Sequence, residues 1–177
     1  PLLPLQILWI NLMTDSWPAL ALGVDPPGKN VMKRQPRSQK DSIMHGLKTF
    51  MVLTGIIGTV ITLGIFYWAL NSGMPMEKTR TFALTTLILF EMLRVYSVKS
   101  KRPFGNMLNN RWLNLAVMLS ITLQILIIYT PLNTLFRLAP LTLVEWLPMI
   151  GLAIVGFLIL EFSKVIRARF VKVPEID

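Results

Sequence analysis

Apolar and polar positions along this chain fall in long blocks rather than alternating residue by residue. Five blocks are apolar for long enough to cross a bilayer, which takes about 20 residues in a helix. They cover 2–22, 47–70, 81–98, 112–130 and 146–166. In lipid a spanning segment must satisfy its own backbone hydrogen bonds, so runs of this kind predict helices. The fold class expected is all-α, a polytopic membrane bundle of five transmembrane helices. No internal repeat or low-complexity stretch divides the 177 residues, so 1–177 reads as a single transmembrane domain. The third block is the least apolar. Thr81, Thr85, Thr86, Glu91 and Arg94 predict a helix that faces protein rather than lipid.

Composition supports the membrane reading. Apolar residues make up 53% of the chain and charged residues only 15%, where soluble domains carry roughly 25% charged residues. The mean hydropathy is +0.57. The absence of cysteine excludes disulfide, zinc-thiolate and thiol chemistry. A net charge of +9 is compatible in principle with nucleic-acid binding, but the basic residues lie between apolar runs rather than on one soluble face. No nucleic-acid partner is expected. The chain opens on Pro1, with neither an initiator methionine nor a basic region before the first apolar block. It is therefore expected to be a piece of a longer protein rather than to carry a signal peptide.

Charge also orients the bundle. Lys29, Lys33, Arg34, Arg37, Lys40 and Lys48 fill the first connection. Arg94, Lys99, Lys101, Arg102 and Arg111 cluster around the third, and Lys164, Arg167, Arg169 and Lys172 end the chain. With five spans these three regions share a side. Of the 18 basic residues only Lys78, Arg80 and Arg137 lie on the other. The positive-inside rule places the basic loops and the C-terminus in the cytoplasm.

The first block contains the chemistry. In "WINLMTDSWPALALG", Asn11, Thr14 and Asp15 interrupt the apolar run and Pro18 follows. Asn11 and Asp15, four apart, share a helix face. All three side chains offer oxygens, the ligands of calcium and other hard cations. Pro18 lacks an N–H, which frees the Thr14 carbonyl at a depth where an unbound carbonyl is costly. A cation ligated by these oxygens satisfies both conditions. The alternative is that Asp15 pairs with a basic residue while Asn11 bonds a neighbouring helix. Glu91, near the middle of the third block, is the second carboxylate at depth. It either closes the same site from another helix or bridges to Arg94 three residues on. Gln6 reads as a packing residue or as part of an exit path, and Gln124 as an interhelical hydrogen bond. Glu145 and Glu161 read as structural, and His45 as a solvated loop residue. No nucleotide loop or nucleophile–base pair appears, so no catalytic residue is assigned.

These residues resemble a known family. "PLQILWINLMTDSWPALALGVDPP" is similar to the sixth transmembrane helix of P-type cation-transporting ATPases of the calcium-pump type, such as the sarco/endoplasmic reticulum pumps and their bacterial and archaeal counterparts. The order of "FEML", "NRWLNLAV" and "LQILIIYTPLNTLFRLAPLTLVEWL" continues the resemblance to the end of the chain. It implies that the five spans are helices six to ten of a pump. Asn11, Thr14, Asp15 and Glu91 are then ligands of the transported ion, Ca2+. The partners implied are helices one to five and the cytoplasmic domains of the same pump, within a lipid bilayer. ATP and Mg2+ would act on those absent domains, so this chain alone is expected to be inactive. The expected location is a bacterial or archaeal cell membrane. Two departures stand out. Ser16-Trp17 replace a usual glycine and leucine, and Arg94 stands where an asparagine is common. A guanidinium one turn from Glu91 implies neutralisation of one of two ion sites and leaves Mn2+ or Na+ open as cargo. The rival from another class is a non-enzymatic membrane bundle, an assembly or channel-like subunit.

Overall fold

A computed structural model describes residues 2–25, 48–100, 104–105 and 108–170. The basic connection 26–47, with His45, lies outside them, as does the tail 171–177. The elements among the described residues are all helical, with no strand.

Helix α1 (Pro4–Trp9), a π-helical segment (Ile10–Asp15) and α2 (Ser16–Gly23) follow one another without a break and form one interrupted rod. Then come α3 (Lys48–Asn71), α4 (Met76–Lys99), α5 (Arg111–Tyr129), the short α6 (Leu132–Phe136), a 3-10 turn (Leu143–Glu145) and α7 (Trp146–Phe170). Among the described residues, four stretches are long and apolar enough to cross a membrane: Lys48–Asn71, Met76–Lys99, Arg111–Tyr129 and Leu143–Ile166. The first apolar block differs from them in being interrupted by the π segment.

Local sequence explains the ends. Pro4 opens α1, a position that needs no N–H, and Gln6 Oε1 accepts the Leu3 N–H at 3.0 Å as the returning half of a capping box. Gly73, with φ +73°, makes the tight turn between α3 and α4 that a Cβ would strain. Asn110 caps α5 by accepting the Leu113 N–H at 3.0 Å. Its amide nitrogen donates to the Ala21 carbonyl at 2.9 Å, tying α2 to α5.

Helix α4 is the hub. It packs along α3 and α7, meets α5, and crosses the π segment. Thr79, Thr81, Thr85 and Thr86 are fully buried on it, so the polar third block does face protein, as its composition predicts. Beside Glu91, the Phe90 ring lies between two glycines. A Cβ on Gly58 of α3 would come within 3.1 Å of the ring, and one on Gly156 of α7 within 2.9 Å. Small residues here let α3 and α7 close on an aromatic knob.

The interrupted rod is held by buried polar bonds as well as by packing. Gln6 is fully buried and donates to the Phe136 carbonyl at 2.8 Å, which settles it as a packing residue. Trp9 Nε1 donates to Gln124 Oε1 at 3.1 Å, and Gln124 Nε2 donates to Thr85 Oγ1 at 3.2 Å. Gln124 is thus the interhelical bridge that its place in an apolar helix suggests, and it links three elements.

Candidate cation site

The π segment is the backbone's answer to Pro18. Without an N–H at Pro18, the Thr14 carbonyl loses its partner one turn on. The chain widens into i→i+5 turns over Ile10–Asp15, and α2 restarts at Ser16. Pro18 then sits in the first turn of α2, where a missing N–H costs little. The Ser16 hydroxyl donates to the Asn11 carbonyl at 3.1 Å. Ser16 therefore gives a carbonyl of the widened turn a partner. Trp17 beside it is exposed, and nothing in the structure explains that residue.

Asp15 ends the π segment with its side chain 47% exposed. Facing it, α4 carries Glu91 and Arg94, whose side chains are 17% and 28% exposed. Arg94 Nη2 makes a hydrogen-bonded ion pair with Glu91 Oε2, and the same nitrogen lies 3.9 Å from Asp15 Oδ1. One guanidinium nitrogen thus reaches two carboxylates from different elements. The bridge from Glu91 to Arg94 that the spacing offers is present, and the same arginine brings Glu91 near Asp15.

Asn11 lies on the same widened turn as Asp15 and is exposed. The backbone places Thr14 on that turn too, while its side chain lies outside the described residues. An open groove of about 490 Å³ between α3 and α4 reaches Glu91 and Arg94 past Thr54, Gly58 and Phe90. Among the described residues, Arg94 Nε and Thr54 Oγ1 are buried without a hydrogen-bond partner. A buried donor or acceptor of that kind costs free energy until something satisfies it. Among the described residues no three or more His, Cys, Asp or Glu side chains gather closely enough to hold a metal by themselves.

The Arg94–Glu91 pair was legible from spacing, because i and i+3 are neighbours on a helix. The reach of Arg94 to Asp15 was not. It depends on how α4 crosses the π segment, and no local pattern encodes that crossing.

Together these features define an all-α bundle of apolar, membrane-crossing length with charged side chains gathered where one rod is broken. The chain belongs to the family described as "Cation transporting ATPase, C-terminus", whose pattern matches residues 1–166. It is similar to the calcium-transporting ATPase of Bacillus subtilis, with 33% identity over 178 residues, covering 96% of this chain and 20% of that protein. The human calcium-transporting ATPase type 2C member 1 is 34% identical over 175 residues, covering 96% of this chain and 19% of its own length. The endoplasmic reticulum calcium ATPase srcA of Aspergillus fumigatus is 28% identical, covering 99% and 22% respectively. The chain therefore spans about a fifth of the length of these relatives.

Proposed function

We propose that this chain is the C-terminal membrane domain of an ATP-driven Ca2+ pump, and that Asn11, Thr14, Asp15 and Glu91 supply part of its intramembrane ion site. The observation that carries the reading is the meeting of Asp15 and Glu91 at Arg94 beside the π-helical break. π turns inside helices recur at functional sites, and carboxylate, amide and hydroxyl oxygens are the ligands of hard cations. The names of the relatives support calcium as cargo.

Ca2+ takes about six to eight oxygens. The wall formed here offers fewer, so the remaining ligands come from other helices of the same pump. Arg94 sets one positive charge against the two carboxylates. In this reading it occupies the space a second cation would need, and the wall serves one ion per cycle. ATP and Mg2+ act on cytoplasmic domains beyond this chain. Residues 1–177 form one domain surrounded by bilayer, with the basic loops and C-terminus on the cytoplasmic side.

The test is Asp15→Asn in the full-length protein. Phosphorylation from ATP is measured against Ca2+, Mn2+ and Na+ concentration. Loss of the dependence on Ca2+ in a folded protein is the expected result. A dependence on every cation identical to that of the parent would overturn the assignment.

A further inference from the structure

The buried Glu161–Lys164 pair on α7 has no part in the site described above. Glu161 is completely buried, and Lys164 Nζ contacts Glu161 Oε1 at 2.6 Å. The same ammonium donates to the Ser97 carbonyl at 2.6 Å and to the Ser100 carbonyl at 2.9 Å. Ser97 lies in the last turn of α4 and Ser100 is its C-terminal cap. The last four carbonyls of a helix have no partner within it, and a cation placed there also meets the negative end of the helix dipole. Lys164 thus caps α4 from a different helix. Glu161 holds the lysine in place, and its other oxygen accepts the Phe104 N–H at 2.8 Å. Phe104 has the left-handed φ of 51° that a side chain rarely adopts. Its ring packs edge-on against Phe162, with centroids 6.4 Å apart. The end of α4 and the start of its outgoing loop are therefore bolted to one turn of α7.

We propose that Lys164 is a positioning residue for the cation site: by capping α4 from α7 it fixes the axial register of Glu91 and Arg94 against Asp15. Arg94 lies only three residues before Ser97, about 4.5 Å along the helix axis. The 3.9 Å gap between Arg94 and Asp15 is therefore sensitive to a slip of α4 along its axis. Farther along α4, Phe90 lodged against Gly156 prevents the helix from turning freely about that cap. The inference rests on the ion-site reading given above.

Lys164→Met alone strands a buried carboxylate, which is itself strongly destabilising. The decisive variant is therefore the double Glu161→Gln, Lys164→Met in the full-length protein. It removes both charges, keeps an acceptor for the Phe104 N–H, and deletes the cap on Ser97 and Ser100. Phosphorylation from ATP is followed against Ca2+ concentration, together with thermal unfolding of the purified protein. The expected result is a rise of about three- to tenfold in the half-maximal Ca2+ concentration, with little change in maximal phosphoenzyme per folded molecule. Lys78→Met breaks the ion pair of Lys78 with Glu145 near the other end of α4 and is expected to leave that concentration unchanged. Loss of folded protein with an unshifted Ca2+ dependence in the remainder would make the pair a stabilising element only and overturn the proposal. Asp15→Asn run in parallel separates the two ideas. If it changes the Ca2+ dependence and the double variant does not, the ion site stands and only the positioning role falls.

Discussion

Arg94 Nη2 lies 3.9 Å from Asp15 Oδ1 while bonded to Glu91. One guanidinium is thus shared by two carboxylates that come from different elements. Half of this relationship lies within one turn of α4. The other half spans the fold, because Asp15 arrives on the π segment.

If the guanidinium occupies the place of a second cation, Arg94→Ala leaves two carboxylates facing an emptied space. The expected outcome is more Ca2+ bound per phosphorylation site in the full-length protein, or two binding phases where the parent shows one. Equilibrium binding of radioactive calcium to the purified protein measures this directly. An unchanged ratio would mean that Arg94 only tethers Glu91.

Ser16→Ala removes the hydroxyl that serves the Asn11 carbonyl. A net hydrogen bond of this kind is worth about 1 kcal/mol, so a small fall in Tm is expected. The larger change should be local. Amide exchange across residues 10–15 should speed up relative to α3 and α7, because one partner of the widened turn has gone. Exchange as slow as in the parent would show that the backbone alone holds the π segment.

Gly156→Ala places a Cβ 2.9 Å from the buried Phe90 ring. Overpacking of that kind costs about 1–3 kcal/mol. Phe90→Leu in the same chain should recover part of the loss, because the two substitutions share one contact and couple by about 0.5–3 kcal/mol. Thermal unfolding of the parent, both single variants and the double gives the coupling. Simple additivity would mean that the ring has room to move aside.

Much of the architecture was legible in the sequence because the bilayer asks little beyond length and apolarity. The runs later seen as α3, α4, α5 and α7 could be read as helices without knowing their neighbours. The threonines of α4 announced a helix buried in protein, and Asn11, Asp15, Pro18 and Glu91 marked where polarity and a lost donor had to be reconciled. Tertiary structure decided the rest. Pro18 signalled a broken ladder, but that the chain widened into a π segment rather than kinking is seen only in the fold, where Gln6 and Trp9 before it are tied to Phe136 and Gln124. Arg94 could be paired with Glu91 by counting residues, yet only the crossing of α4 over the π segment brought it to Asp15. The same holds for Lys164, whose carbonyl partners lie more than sixty residues away in sequence. Hydrophobic length and local spacing act within one helix and are written in its own residues, whereas the angles and registers between helices come from side chains interlocking across the fold.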